Sequence, residues 1–190
     1  NDMDTAMNLI YVRHTINTDD KFYEAEKDWM DDTSPELSLL TEKYYQVLVK
    51  SKFRADLELE FGSQLFTIAD FKIKQTDERI VEDRKKENKL SSQYAKLLAS
   101  AKIDWEGKEL NLSQLVPFKV SKDRATRKKA ADAVFNFLGE NSKELDTIYD
   151  DLVHLRDGMA KKIGLDNFVE LGYYQMMRSD YTPEMVAGYR

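Results

Sequence analysis

A chain of 190 residues is long enough for one sizeable core or two small ones. With 42% hydrophobic and 34% charged residues it is not a disordered polymer, and a net charge of −6 argues against general nucleic-acid binding. The absence of cysteine excludes disulfides and thiolate chemistry, and no apolar run reaches the roughly 18–20 residues of a membrane span.

Seven glycines and three prolines leave few breaks, so the fold expected is all-α, built from long antiparallel helices and helical hairpins. Met3, Met7, Ile10 and Tyr11 already lie on a helical period. Asn17-Thr18 followed by Asp19-Asp20 punctuates that helix and starts the next, which carries Phe22, Tyr23, Trp29 and Met30. Ser34-Pro35-Glu36 reads as another capped start. Leu37, Leu40, Tyr44, Val47 and Leu48 follow on one face, and the period runs through Phe53 and Leu57 to Phe61, where Gly62 stops it. Ser63 can cap a shorter helix holding Leu65, Phe66, Ile68 and Phe71.

Thr76 predicts the cap of the longest helix, residues 77–101, about 35 Å at about 1.5 Å per residue. Its middle, residues 82–89, contains no apolar residue and is expected to be a solvated segment or a bridge between packed regions. The period then changes to two. Ile103 and Trp105, a Gly107-Lys108 type II′ turn, and Leu110 and Leu112 predict one short β-hairpin near residues 102–112, with Trp105 packed on the helices. Ser113 can cap a single turn before Pro117, and Ser121 the helix carrying Arg127, Ala131, Val134, Phe135 and Leu138, which Gly139 stops. The whole chain, 1–190, is expected to be one helical domain, with any subdivision falling near 102–121.

In the last third, Leu145, Ile148, Tyr149, Leu152, Leu155, Met159 and Ile163 form the apolar face of a long helix. Lys161 and Lys162 suit the negative end of its dipole, Gly164 supplies a left-handed stop, and Leu165 packs back. Asp166 can cap a second helix with Phe168 and Leu171. Both termini are expected to be interior to a longer polypeptide: Asn1 lacks an initiating methionine, and Thr182-Pro183-Glu184 starts a helix with only seven residues to follow.

Candidate chemistry is sparse. The two histidines, His14 and His154, share no HExxH spacing, the arrangement that puts two imidazoles on one helix face with a glutamate to activate water. His14 reads as a boundary residue and His154, near Asp150, Asp151 and Asp157, as a hydrogen-bonded surface one. No nucleophile elbow or glycine-rich phosphate loop is present. Lys119, Lys122, Arg124, Arg127, Lys128 and Lys129 form a basic run without interleaved aromatics, so a solvated face is expected rather than a base-stacking one. Tyr173, Tyr174, Arg178, Asp180 and Tyr181 form a polar-aromatic cluster between two helix signals, where Arg178 and Asp180 can pair with Tyr181 beside them.

The run VHLRDGMAKKIGLDNFVELGYYQMMRSDYTPEMVAGYR, with NTDDKFYEAE, FGSQLFTIADFKIK, EDRKKENKLSSQYAKLLASAKIDWEGKELNLSQLVPF and DRATRKKAADAVFNFL upstream, resembles the oligoendopeptidase F-like zinc metallopeptidases, the M3B branch of peptidase family M3. The resemblance covers most of the chain but only the amino-terminal portion of that family. It implies a helical channel wall of a metalloendopeptidase that hydrolyses short oligopeptides. The catalytic zinc would then sit in the carboxy-terminal half of the same polypeptide, with no catalytic or metal residue here and no activity in this chain alone. Tyr173, Tyr174, Arg178, Asp180 and Tyr181 become candidate edges of the substrate channel, against a rival role as a brace to the other half. The fragment would expose apolar surface and self-associate. The cytoplasm is the expected compartment, with neither nucleic acid nor membrane as partner. The competing reading from another class is a non-enzymatic helical adaptor, which an HExxH helix further along the gene would rule out.

Overall fold

Ten α-helices and one two-stranded hairpin make up the computed structural model, which describes residues 2–190. In chain order they are α1 (Asp2–Ile16), α2 (Lys21–Val49), α3 (Arg54–Phe61), α4 (Ser63–Gln75), α5 (Val81–Ala99), β1 (Ile103–Trp105), β2 (Lys108–Leu110), α6 (Val116–Lys119), α7 (Arg124–Glu140), α8 (Ser142–Lys162), α9 (Phe168–Gln175) and α10 (Pro183–Tyr189). The fold is all-α with one short hairpin, as the glycine-poor, periodic sequence implies.

Several element ends differ from expectation, each for a local reason. α2 passes unbroken through Pro35 and, at 29 residues, is the longest helix. Proline costs a helix about 3 kcal/mol through its missing donor. Here its ring lies on the buried stripe of Lys27, Asp31 and Pro35, where burial offsets part of that loss. The chain breaks instead after Val49, because the Ser51 hydroxyl accepts the Phe53 N–H at 3.2 Å and gives the backbone a non-helical alternative. Ser63 is the first residue of α4, behind Gly62 at φ 84°. Asp77 rather than Thr76 takes an orphan donor, the Arg79 N–H at 2.8 Å, and a 3-10 turn over Glu78–Ile80 leads into α5.

In the hairpin Ile103 pairs with Leu110, Asp104 with Glu109 and Trp105 with Lys108. The loop is therefore Glu106-Gly107, both at positive φ (55° and 80°), which is a type I′ turn in place of the type II′ turn expected one residue later. Asn111 and Gln114 bracket the turn before α6 reciprocally at 2.9 Å, the role expected of Ser113. Asp123, not Ser121, caps α7 by accepting the Thr126 N–H at 2.7 Å, and α7 continues past Gly139. Asn167, not Asp166, caps α9 through the Val169 N–H at 2.9 Å.

The chain divides into two packed units, and α2, α5 and α8 each contribute residues to both. One unit comprises the described part of Asn1–Asp28 with Asn88–Val153. Its core is Ile103, Trp105, Leu115 and Ala130, walled by Leu110, Leu112, Phe118, Ala133, Val134 and Phe137. A hairpin this short is unstable alone; Trp105 anchors it by stacking on Phe118, ring centroids 4.7 Å apart, beneath the Lys129 ammonium. In the same unit Lys96 bonds Glu24 at 2.7 Å, and Lys27 donates to the Ser92 hydroxyl at 2.8 Å.

The other unit comprises Trp29–Glu87 and His154–Arg190. Ile80, Met159, Ala160 and Leu171 form its centre, with Ile163, Leu165 and Phe168 against them. Burying each of the larger side chains contributes roughly 1.5–3 kcal/mol. α8 ends as its sequence requires. Gly164 sits at φ 90°, its N–H reaches the Lys161 carbonyl at 3.1 Å, and the Leu165 N–H reaches the Ala160 carbonyl at 3.0 Å, a Schellman motif that seats Leu165 in the core.

Candidate functional site

The stretch with residues 82–89, expected to be a solvated segment or a bridge between packed regions, belongs to a helix that contributes to both units and carries two buried charges. Asp83 and Glu87, one turn apart on α5, are each only 6% exposed. Buried carboxylates persist only when paired. Lys162 of α8 bonds Asp83, and Glu87 accepts from Arg156 Nε at 2.6 Å and Arg84 Nη1 at 2.9 Å. Arg84 also donates to the Gln75 carbonyl at 3.4 Å. With the Gln175 amide turned to satisfy both groups, its oxygen accepts from Arg84 at 2.6 and 2.8 Å. The last residue of α9 is thus tied to α5 through charge-assisted bonds.

Next to that tie stands the cluster singled out in the sequence. Tyr174 packs against Phe71 at 5.3 Å, lies under the Lys74 ammonium at 5.0 Å, and hydrogen-bonds the Glu170 carboxylate. Its burial, with the adjacent Glu170 carboxylate, pushes its phenol up to about 12. The Gln75 amide reaches the Tyr174 carbonyl at 3.5 Å.

The chain then leaves α9 by a second Schellman turn. The Met177 N–H bonds the Tyr174 carbonyl and the Arg178 N–H the Tyr173 carbonyl, both at 3.1 Å. The left-handed position, filled by glycine at the end of α8, is here Met177 at φ 53°. A side chain in that conformation costs on the order of 1–2 kcal/mol, and such strain gathers where a fold must aim a side chain. The turn sends Arg178 back over the Tyr173 ring at 5.0 Å and the Tyr181 ring at 5.5 Å, while the two rings meet edge to face at 6.3 Å. The expected Arg178–Asp180 pair does not form: Asp180 accepts from the Ser179 hydroxyl at 3.4 Å, and Arg178 takes the aromatic faces. Thr182 then caps α10 through the Met185 N–H at 3.3 Å.

The other candidates have structural places. His14 is buried on α1, 3% exposed, rather than lying at a boundary, while His154 is exposed on α8. Of the basic run, Lys129 pairs with Glu106 at 3.3 Å, Lys128 pairs with Asp132, and Arg127 folds back onto the Ser121 and Lys122 carbonyls. No helix among the described residues is long and apolar enough to cross a membrane.

The profile of the peptidase M3 N-terminal domain matches residues 1–76. A crystal structure described as oligoendopeptidase F from Bacillus anthracis aligns with 99% of this chain at 50% identity and TM-score 0.93. The chain belongs to peptidase family M3. It spans about a third of the length of the solved structures it matches, 35% of that one. A second structure described as oligoendopeptidase F aligns with 96% of the chain at 52% identity and TM-score 0.91, the chain covering 32% of it. PZ peptidase A, solved with an inhibitor, aligns with 99% at 48% identity and TM-score 0.93, the chain covering 34%. No curated protein matches the sequence. Peptidases of family M3 are in general zinc-dependent. Among the described residues, however, no group of three or more His, Cys, Asp or Glu side chains is placed to hold a metal ion. The described residues do not fit a zinc site.

Proposed function

We propose that this chain is the non-catalytic amino-terminal helical domain of a zinc metalloendopeptidase that hydrolyses short oligopeptides. It forms part of the wall of the substrate channel, and the zinc-binding residues are supplied by the rest of the polypeptide. The observation that carries this reading is the 50% identity over 99% of the chain to an oligoendopeptidase F nearly three times as long. The lack of a fitting donor set among the described residues supports the assignment of the metal to the remainder. Alone, the domain is inactive. Its compartment on this reading is the cytoplasm.

Tyr173, Tyr174, Arg178, Asp180 and Tyr181 lie at the channel edge in this proposal. What supports it is their place at and just beyond the end of a helix whose last residue, Gln175, accepts from the Arg84 guanidinium, with Arg178 held over two rings. The catalytic remainder is the natural cover for apolar side chains left bare here, among them Leu40, Tyr44 and Val47 at i, i+4 and i+7 on α2, each more than 60% exposed. In isolation that stripe would drive self-association.

The test is hydrolysis of a quenched-fluorescent peptide of fewer than about ten residues by the complete peptidase and by residues 1–190 alone. Cleavage by the complete protein that a chelator abolishes, with none by the domain, supports the proposal. A complete protein inert towards all short peptides would overturn it.

A further inference from the structure

Five arginines are partly withdrawn from solvent: Arg54, Arg84, Arg127, Arg156 and Arg178. Three of them donate to the protein's own oxygens, and Arg54 lies over the Phe66 ring at 4.6 Å with a carboxylate beside it. Arg54 faces Glu58 at 3.9 Å, Arg84 and Arg156 share Glu87, and Arg127 donates to two carbonyls at 2.7 and 2.9 Å. Arg178 is different. Among the described residues its guanidinium meets two ring faces, Tyr173 and Tyr181, and no carboxylate or carbonyl oxygen.

A cation held over ring faces is attracted by the ring quadrupole and spends no N–H donor on an oxygen acceptor. Contact with two rings therefore restrains the group without engaging its donors with an oxygen of the described residues. The guanidinium fork matches a carboxylate bidentately, and an arginine already held in place loses little further freedom on binding one. The nearest acid in sequence, Asp180, does not compete, being turned to Ser179. The left-handed Met177 turn fixes where the side chain starts, with the Arg178 N–H held on the Tyr173 carbonyl. A strained backbone position, two aromatic clamps and an unused cationic fork converge on one group.

We infer that Arg178 is a carboxylate receptor, and that its ligand is the free C-terminal carboxylate of a short peptide substrate. Every unblocked short peptide carries that group whatever its sequence, so the contact recognises length and a free end rather than side chains. Tyr173 and Tyr181 are positioning residues that restrain the guanidinium between them. The inference rests on the reading of this cluster as an edge of a peptidase channel.

The experiment uses the complete peptidase and two quenched-fluorescent peptides, identical and free of acidic side chains, one ending in a carboxylate and one in a carboxamide. Losing a charge-assisted hydrogen-bond pair corresponds to about 10- to 100-fold in affinity. The wild type is expected to show a KM lower by that factor for the carboxylate peptide. Arg178→Gln removes the difference by raising that KM alone, and Arg178→Lys restores part of it. Tyr181→Leu gives a smaller loss with the same selectivity, and the Tm of Arg178→Gln stays at the wild-type value. Equal wild-type KM values for the two peptides overturn the inference. So does an Arg178→Gln variant that impairs both peptides equally with a lowered Tm, which would place the carboxylate within the protein. If the wild type cleaves neither peptide, the peptidase reading fails separately. Arg178 is then judged by fluorescence anisotropy, where a 10-fold preference of the complete protein for a labelled free-acid peptide over its amide, lost in Arg178→Gln, supports the receptor and equal binding overturns it.

Discussion

Replacing Glu87 by glutamine tests the claim that a buried ion network, rather than solvation, explains the charged middle of α5. Glu87 is 6% exposed and is the shared acceptor of Arg84 and Arg156. Glu87→Gln keeps the shape and removes the charge, leaving two cations facing a neutral amide. Breaking a fully buried pair costs about 3–5 kcal/mol. Here the Arg84 and Arg156 side chains are 21% and 38% exposed, so water recovers part of the loss. About 2–3 kcal/mol is the expected cost. At roughly 2–4 °C per kcal/mol for a chain of this size, the Tm falls by about 4–12 °C. Thermal and urea unfolding followed by circular dichroism measures it. Lys85→Gln is the control, because that ammonium bridges the exposed acids Glu36 and Glu82 and its loss should move the Tm by no more than about 2 °C. If the two substitutions have the same small effect, the network argument is wrong.

Two further predictions follow from single positions. Gly164→Ala forces a side chain into the left-handed region at φ 90° and should destabilise by about 1–2 kcal/mol, whereas a change below about 0.3 kcal/mol in urea unfolding would contradict the Schellman assignment. Tyr174 should be the late ionising group among the ten tyrosines, titrating near pH 12 because burial and Glu170 disfavour its phenolate. Its folded value lies above the ordinary value near 10, so its contribution to stability is complete below about pH 10 and is lost as the pH rises through about 12. An ultraviolet titration in which the late step survives Tyr174→Phe would refute this.

How much of this was legible depended on the range of the cause. Gly164, Leu165 and the lysines before them announce the end of α8 within six residues, and the structure follows them. The hairpin was legible from the alternation of Ile103 and Trp105, but its turn was misplaced because Glu106 adopts positive φ without being glycine, asparagine or aspartate. Met177 hides the second Schellman turn for the same reason. Pro35 looked like a start because proline's local cost is visible in sequence and the burial that offsets it is not. The burial of Asp83 and Glu87 was not legible because Lys162 and Arg156, which join Arg84 in neutralising them, lie 79 and 69 residues away. The Arg178 cluster was found from its composition. Its geometry was not, since nothing local says that the arginine prefers two tyrosines to the aspartate beside it.

The central claim is that this helical domain belongs to a metallopeptidase whose metal is bound elsewhere in the polypeptide. Elemental analysis of bound zinc, after exhaustive dialysis of the complete peptidase and of residues 1–190 prepared in parallel, tests it most directly. The account predicts about one tightly bound zinc per complete molecule and none on the domain. A stoichiometric zinc retained by residues 1–190, or none on the complete protein, would contradict it.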